Sequence, residues 1–181
     1  PNVGKSTLFN KLTKTREAIV SDFPGLTKDR NYGYIKLGSI KSFIIDTGGI
    51  GKDESNLSQN ISEQAWMAAN ECNLILFLVD GSENLTSEDF DILSSLRKLN
   101  KPFITLLNKS DKSSKSEALN DISSKGIKDY LDISAEHSRG LDDLKKLLIK
   151  MLPEKTDETV PDGKKIAVLG RPNAGKSTFI N

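Results

Sequence analysis

The sequence GRPNAGKST at residues 170–178 satisfies the pattern G-x-x-x-x-G-K-[ST] in full. An apolar stretch, residues 165–169, runs directly into it, and the start of a helix follows it. Glycines let backbone amides curl around an anion at a helix N-terminus. Lys176 can reach the outer phosphates, and the Ser177 hydroxyl can ligate Mg²⁺. The stretch therefore predicts a strand, a phosphate-binding loop and a helix in succession.

The same pattern recurs at the other end of the chain as PNVGKSTLFN, residues 1–10. Aligning Pro1 on Pro172 gives seven identities in ten positions, so a chance glycine-rich turn is a poor explanation for either copy. The first copy has the G-K-S part of the pattern at residues 4–6 but not its first glycine or the strand before it. We interpret the repeat as a domain duplication.

The duplication predicts a division of the chain into three segments. Residues 1–152 form a first phosphate-loop domain that lacks its first strand and the start of its phosphate loop, residues 153–163 form a polar linker, and residues 164–181 begin a second domain. A missing first strand leaves a vacant position in the middle of the sheet, with unpaired backbone groups on its neighbours. Either the chain is a fragment of a longer gene product, or Lys165–Gly170 fills the vacancy, from the same chain or a second copy. Filling it in this way would leave residues 1–10 redundant.

Strand-like and helix-like segments alternate between the two copies. Short apolar runs predict buried strands, and apolar residues every three to four positions predict amphipathic helices. Two extended stretches separated only by a short segment that contains Gly38-Ser39 predict a hairpin. The expected fold is α/β, a P-loop NTPase whose mostly parallel sheet lies between helices and has one antiparallel edge hairpin. The predicted helices are residues 5–14, 61–71, 87–99, 116–125 and 141–152, and the predicted strands are residues 32–37, 41–46, 74–79, 103–107, 130–133 and 165–169.

The composition indicates a globular, cytoplasmic protein. Hydrophobic residues make up 36% of the chain and charged residues 28%, which is typical neither of disordered nor of membrane-embedded chains. Lysine and arginine (26) nearly cancel aspartate and glutamate (25), so the overall charge predicts no electrostatic partner, and we expect neither a membrane nor DNA as a partner. The single cysteine, Cys72, precedes an apolar run and is expected in the core of a protein from a reducing compartment.

The motif DTGG, residues 46–49, follows a predicted strand and satisfies D-x-x-G. A carboxylate there can hold Mg²⁺ through water, and a flexible glycine amide can contact the terminal phosphate. Taken alone this motif is often an ordinary turn, but its position after a phosphate loop strongly favours a role in nucleotide binding. Thr27 lies in one of two polar loops, residues 16–30 and 47–59, that we expect to be mobile. With a nucleoside triphosphate bound, Thr27 could reach Mg²⁺ and the terminal phosphate and so order its loop.

The motif NKSD, residues 108–111, follows another predicted strand and indicates which base is bound. Guanine presents adjacent N1–H and N2–H₂ donors that the Asp111 carboxylate can accept, whereas adenine has an acceptor at N1 and no 2-amino group. A site built on such hydrogen bonds can reject an analogue that lacks them by ~10⁴-fold or more. Lys109 would lay its aliphatic stem against the ring, and Ser134-Ala135 could offer the Ala135 amide to the guanine O6. The motifs therefore predict GTP as the nucleotide.

In their order along the chain, PNVGKST, PGLTKDR, DTGG, NKSD and SA resemble a translation-factor-type GTPase domain. One such domain, a polar linker and a second GRPNAGKST resemble the Der (also called EngA) family of bacterial tandem GTPases, and SDFPGLTKDRNYG and LILFLVDG are especially similar to its first domain. The resemblance covers essentially the whole chain. It implies two GTPase domains and a KH-like RNA-binding domain that use GTP to control ribosome association during assembly of the large subunit. The KH-like domain and most of the second GTPase domain lie outside what the resemblance covers here.

The resemblance also bears on how water is activated. Small signalling GTPases place a water-orienting glutamine directly after D-x-x-G, whereas this chain has Ile50, which can neither orient nor polarise water. The resemblance implies K⁺ near the phosphates, held partly by the phosphate-loop asparagines Asn2 and Asn173. This cation would supply the charge that an arginine finger supplies elsewhere. We expect slow, K⁺-stimulated hydrolysis of GTP to GDP and phosphate.

The predicted site residues fall into three groups. Catalysis is assigned to Lys5, Thr27, Gly49 and Asn2, and the metal ligands are Ser6, Thr27, Asp46 and Ser177 for Mg²⁺ and Asn2 and Asn173 for K⁺. The predicted nucleotide-binding residues are Asn2, Val3, Gly4, Lys5, Ser6, Thr7, Asp46, Thr47, Gly48, Gly49, Ile50, Asn108, Lys109, Ser110, Asp111, Ser134, Ala135, Gly170, Arg171, Pro172, Asn173, Ala174, Gly175, Lys176, Ser177 and Thr178.

Three other functions stay open at this point. A metabolic P-loop kinase or ATPase is disfavoured by N-K-x-D. A tRNA-modification or membrane-transport GTPase of the same superfamily usually carries one GTPase domain, so the second GRPNAGKST argues against it. A non-hydrolysing, nucleotide-dependent interaction module is compatible with Ile50.

Overall fold

The structure is a computed structural model that describes residues 3–13, 31–47, 63–111, 127, 130–152 and 164–170. Within these ranges the bounds of the helices and strands agree with the predicted ones to within two residues. The predicted helix 116–125, loop 16–30 and nearly all of loop 47–59 lie outside the described residues. The helices are α1 (Lys5–Thr13), α2 (Glu63–Glu71), α3 (Ser87–Lys98) and α4 (Leu141–Met151), and the strands are β1 (Asn31–Leu37), β2 (Ile40–Asp46), β3 (Leu74–Asp80), β4 (Phe103–Asn108), β5 (Tyr130–Asp132) and β6 (Lys164–Leu169).

The six strands form one sheet in the order β1-β2-β6-β3-β4-β5. Strands β1 and β2 pair antiparallel across the turn at Gly38, with Tyr32 opposite Ile45. Every other neighbouring pair is parallel. The predicted fold, a mostly parallel sheet with one antiparallel edge hairpin, is confirmed. Because parallel strands end at the same edge of a sheet, the loops after β2, β4, β5 and β6 begin side by side there.

Strand β6 occupies the centre of the sheet, although it comes last along the described chain. It pairs with β2, where Asp46 lies opposite Val168, and with β3, where Leu74 lies opposite Ile166. Its four apolar residues, 166–169, have no solvent exposure. The hypothesis that Lys165–Gly170 fills the vacant position is confirmed, and in this structure the strand comes from the same chain.

Helices cover both faces of the sheet, as the alternating pattern predicted. Helices α1 and α4 pack on one face through residues such as Leu8 and Leu144. Helices α2 and α3 pack on the other face through residues such as Ala69 and Leu96. Strand β3 is buried along its whole length between these layers, in agreement with its uninterrupted apolar sequence.

One expectation about packing was wrong. Residues 3–10 are not redundant, since α1 is packed against the sheet and buries Leu8 and Leu12. Cys72 is fully buried as expected, and burial raises the pKa of its thiol.

Helix α3 begins with a reciprocal cap. The Thr86 hydroxyl accepts a hydrogen bond from the Asp89 amide, and the Asp89 carboxylate accepts one from the Thr86 amide. This cap fixes the start of α3 just after the loop that leaves β3. None of the helices in the described ranges is both long enough and apolar enough to cross a membrane.

Candidate nucleotide-binding site

The phosphate loop of the first copy is formed at the start of α1. Gly4 has a φ of +91°, a conformation that favours glycine, and its carbonyl accepts the first helical hydrogen bond from the Leu8 amide at 2.9 Å. A Cβ at Gly4 would lie 2.3 Å from the Asn108 side-chain nitrogen. The glycine is therefore required by both its backbone conformation and its closeness to the NKSD loop. The backbone amides that follow Gly4 lie at the N-terminus of α1, where they can bind an anion.

Lys5 is almost completely buried, with 1% of its surface exposed. A buried lysine needs a partner, and the Lys5 Nζ donates a hydrogen bond to the Gly170 carbonyl at 3.1 Å. This contact joins the first phosphate loop to the end of β6 across 165 residues of sequence. The ammonium group is thus held at the edge of the sheet where the parallel strands end. A phosphate oxygen bound there could accept its hydrogen bond in place of the Gly170 carbonyl or together with it.

The predicted Mg²⁺ ligands Ser6 and Asp46 lie together. The Ser6 hydroxyl donates a hydrogen bond to the Asp46 carboxylate at 2.9 Å, and Asp46 is only 4% exposed. A hydroxyl and a carboxylate are hard oxygen ligands of the kind that Mg²⁺ prefers, so the residues present fit this ion. Thr47 fixes the loop after β2, because its hydroxyl donates to the Val168 carbonyl at 2.6 Å.

Asn108 connects the two parts of the site. Its side-chain amide donates to the Val3 carbonyl at 2.7 Å, and its side-chain oxygen accepts a hydrogen bond from the Ala135 amide at 2.9 Å. All three residues are buried. One side chain therefore ties the phosphate loop, the NKSD loop and the loop after β5 together. The Ala135 amide, predicted to contact the guanine O6, is engaged by Asn108 here and would have to be shared with a base.

Lys109 is held by an acidic residue from the neighbouring strand. It has a φ of +62°, and its ammonium group forms an ion pair with the Asp80 carboxylate at the end of β3. Ser82 donates both its amide and its hydroxyl to the same carboxylate, at 2.9 and 2.6 Å. Burial alone raises the pKa of Asp80, but the hydrogen bonds from Lys109 and Ser82 outweigh it and lower the pKa. Asp80 is therefore a charged anchor that positions the Lys109 stem.

The side chain of Asp111, the predicted guanine acceptor, is one-third exposed. The imidazole of His137, from the loop after β5, lies 3.6 Å from its carboxylate. Between Asp111 and Lys109, the buried Ser110 donates its amide to the Ile133 carbonyl at 3.1 Å. This bond fixes the NKSD loop against the end of β5, which brings Ser134 and Ala135 beside it.

The structure therefore brings the predicted residues from four loops to one edge of the sheet. Asn2, Thr27, Gly48, Gly49, Ile50 and residues 171–178 lie outside the described residues, so their predicted roles stay predictions. Sequence reasoning missed Asp80 as a site residue. Its signal was its position at the end of an apolar strand, in the LVDG stretch, beside the strand that leads into NKSD.

The fold and the site define a P-loop GTPase domain, and comparison with known proteins agrees with this class. Residues 1–109 match the family model described as 50S ribosome-binding GTPase. Because this match covers more than half of the chain, the chain belongs to that family.

Curated relatives match the chain over its full length. The chain is 48% identical over its full length to GTPase Der from Legionella pneumophila (strain Corby) and 45% identical to GTPase Der from Geotalea daltonii, as the resemblance to the Der family predicted. It spans 39% and 42% of the length of these relatives.

Solved structures show the same fold. A variant of Aquifex aeolicus Era bound to GDP and AlF₄⁻ matches with a TM-score of 0.66 and 30% identity, over 91% of this chain and 58% of that one. A structure of Era with MgGDPNP and nucleotides 1506–1542 of 16S ribosomal RNA matches with a TM-score of 0.65 and 31% identity, over 86% of this chain and 55% of that one.

Proposed function

We propose that the chain binds and hydrolyses GTP as a switch that acts in assembly of the large ribosomal subunit. The observation that carries the nucleotide part is the convergence of Lys5, Ser6, Asp46 and the NKSD loop at one edge of the sheet. Each of these groups suits a different part of MgGTP. Family membership and the Der relatives support the same assignment.

The phosphates would lie over the N-terminus of α1. The amides after Gly4 point toward this position, and the Lys5 ammonium adds a full positive charge from a water-poor environment. Ser6 and Asp46 would hold Mg²⁺, which when bound neutralises charge on the phosphates. The Ser6–Asp46 hydrogen bond keeps both oxygens at this position before the ion arrives.

The base would lie between Lys109 and Asp111. Asp80 holds Lys109 in place, so the aliphatic stem is available to one face of the ring. The Asp111 carboxylate would accept the two adjacent donors of guanine and would be left without them by adenine. This arrangement favours GTP over ATP and disfavours a metabolic ATPase or kinase.

Hydrolysis is assigned to Lys5 and to three residues that lie outside the described ranges. Thr27 and Gly49 would contact the terminal phosphate, and Asn2 would help to hold K⁺ in place of an arginine finger. Ile50 keeps one alternative open, a module that binds GTP and changes its interactions without hydrolysing it, because isoleucine cannot orient water. Multiple-turnover release of phosphate would favour the switch, whereas stable GTP binding without release would favour the module.

The ribosomal part of the proposal rests on relatives. The family is described as ribosome-binding, and an Era structure contains ribosomal RNA. A tRNA-modification GTPase is the competing assignment within the superfamily. Co-sedimentation with purified 50S subunits should be stronger with a non-hydrolysable GTP analogue than with GDP, and equal co-sedimentation in both states would contradict a switch.

The decisive experiment for the nucleotide part is competition against a fluorescent GDP with the intact chain in Mg²⁺. GTP and GDP should displace the probe, and ATP should not do so at ~10³-fold higher concentration. Phosphate release is then measured in KCl and in NaCl at equal ionic strength. Equal rates in the two salts would exclude the proposed K⁺ role, and displacement by ATP as readily as by GTP would exclude guanine specificity.

A further inference from the structure

The loop after β5 forms a closed turn beside the proposed base site. The Ser134 amide donates to the Arg139 carbonyl at 3.0 Å, and the Arg139 amide donates to the Ser134 carbonyl at 3.1 Å. Four residues, 135–138, lie between these two hydrogen bonds, and the first of them is Ala135, whose amide was predicted to contact guanine. Because both of its ends are tied together, the turn holds these residues in one arrangement next to the NKSD loop.

Two residues at the end of this turn have left-handed backbone conformations. Ser138 has a φ of +57°, which is uncommon for a residue other than glycine. Gly140 has a φ of +74°, and a Cβ there would lie 2.4 Å from the Asp132 carbonyl oxygen. A residue such as Ser138 keeps a strained conformation only where the surrounding structure enforces it, and such residues cluster at binding sites. Ser138 directly follows His137, so the strain shapes the part of the turn that carries the imidazole.

His137, the only histidine in the chain, brings its imidazole to the predicted guanine acceptor. Its Nε2 atom lies 3.6 Å from the Oδ2 atom of Asp111, and its side chain is 62% exposed. This distance is slightly longer than a hydrogen bond, and contacts of this kind often shorten when a ligand binds. Imidazole can carry a hydrogen on Nε2 both when neutral and when protonated. His137 can therefore act as a donor toward Asp111 in either state.

The Asp111 carboxylate has room for this donor and for the base. Its two oxygens offer about four acceptor positions. Guanine would use two of them through N1–H and N2–H₂, so a donor from His137 on Oδ2 does not displace the base. Since the Asp111 side chain is partly exposed, fixing it when nucleotide binds costs conformational entropy. A partner that orients the carboxylate beforehand reduces this cost.

We propose that His137 is a positioning residue for the base, which holds the Asp111 carboxylate in the orientation that accepts both guanine donors. This inference rests on the proposed GTP binding and deepens it, because it assigns part of the guanine specificity to the loop after β5. The hydrogen bond from the 2-amino group is the most sensitive to this orientation, since it requires the second carboxylate oxygen to lie in the plane of the base. The turn thus serves the base through both Ala135 and His137.

The test compares GDP with IDP, whose base lacks the 2-amino group, in the intact 181-residue chain with Mg²⁺. The wild type should bind MgGDP about tenfold more tightly than MgIDP, because one hydrogen bond to a charged group separates the two ligands. His137→Ala should weaken MgGDP binding about fourfold and leave MgIDP binding nearly unchanged, as expected for the loss of an exposed ion pair. The discrimination should therefore fall to about threefold. Binding of pyrophosphate, which has no base, should not change.

Two further variants separate the donor from the turn. His137→Gln supplies a side-chain N–H and should recover most of the discrimination. The matched control, Glu136→Gln, changes an exposed neighbour on the same turn and should keep the wild-type ratio. Failure of His137→Gln to recover any discrimination would overturn the donor role of the imidazole.

The remaining outcomes distinguish this inference from the proposed function on which it rests. Wild-type discrimination in His137→Ala, or an equal loss for MgGDP, MgIDP and pyrophosphate, would overturn the positioning role and leave the proposed GTP binding intact. A wild type that binds none of the three ligands would instead remove the proposed GTP binding itself, and this inference with it.

Discussion

The phosphate side and the base side of the site are assembled in different ways. The base side consists of the NKSD loop and the loop after β5, which follow neighbouring strands and are joined by the Ser110 and Asn108 hydrogen bonds. The phosphate side brings residues 3–6, residues 46–47 and the end of β6 together, with one contact that spans 165 residues of sequence. The base side therefore depends on local strand order, whereas the phosphate side depends on one long-range insertion into the sheet.

Asn108 links the two sides, so removal of its side chain should have the largest effect on stability and on nucleotide binding. Asn108→Ala leaves the Val3 carbonyl and the Ala135 amide without their buried partner. We expect the free energy of unfolding to fall by about 3 kcal/mol, since each such group costs roughly 1–3 kcal/mol. Denaturant unfolding measures this difference, and nucleotide binding should be lost as well.

The control for Asn108 is Asn70→Ala. The Asn70 side chain is exposed and donates only to the Trp66 carbonyl within its own helix, so its loss should change stability by less than about 0.5 kcal/mol. Equal unfolding midpoints for the two variants would show that Asn108 does not join the two sides.

Asp111 tests the base side alone. Asp111→Ala removes the proposed acceptor of two guanine donors and should weaken GDP binding by about 100-fold, as expected for two hydrogen bonds of roughly 1.5 kcal/mol to a charged group. Binding of pyrophosphate, which uses only the phosphate side, should not change. Glu136→Ala is the matched control, because it removes an exposed carboxylate from the adjacent loop. An equal loss for pyrophosphate and GDP would mean that the two sides are not separable.

The difference between the local base side and the long-range phosphate side also explains which features the sequence could predict. The order of motifs and the apolar runs predicted nearly every described element, because each depends on local periodicity and on residues that follow a strand directly. The position of β6 needed a further step, since its pattern is that of any buried strand. Its central position comes from its pairing with β2 and β3, which no pattern along one segment shows. That residues 3–10 pack against the sheet could not be derived, because it follows from the contacts between α1 and the strands.

Asp80 shows a second limit of sequence reasoning. An aspartate at a strand end is common, and its importance comes from the neighbouring strand, which places Lys109 beside it. Likewise, the Ala135 amide was assigned to guanine, yet the structure pairs it with Asn108. Contacts between side chains and backbone across different loops are invisible to patterns along one segment.

Asp80→Asn should have an intermediate effect on the base side. The neutral amide no longer pairs with the Lys109 ammonium, so Lys109 leaves its position and GDP affinity should fall by about tenfold. Because the pKa of Asp80 is lowered in the folded state, its contribution to stability is present above the unfolded value of about 3.9 and is lost as the pH falls through the folded value.

The stability difference between wild type and Asp80→Asn should therefore shrink as the pH is lowered from 6 through about 4 and below. Urea unfolding at several pH values measures it, with Glu83→Gln on the nearby exposed loop as the control. A difference that stays constant with pH would show that the ion pair with Lys109 does not stabilise the fold.

The smallest effect is expected at the far end of β6. Asn73 accepts a hydrogen bond from the Lys165 amide at 2.8 Å through its side chain and donates its own amide to the Lys165 carbonyl at 2.7 Å. Asn73→Ala removes only the hydrogen bond to the Asn73 side chain. The free energy of unfolding should fall by less than about 1 kcal/mol, because this bond is exposed to solvent. Exchange at the start of β6 should quicken. MgGDP affinity should fall by about threefold, because Lys5 of the phosphate loop is held by Gly170 at the other end of β6, although Asn73 lies at the opposite edge of the sheet from the proposed nucleotide site. Asn84→Ala, in the exposed loop after β3, should change neither quantity. Faster exchange with unchanged affinity would show that nucleotide binding does not depend on the stability of β6, and the phosphate side would then be as local as the base side.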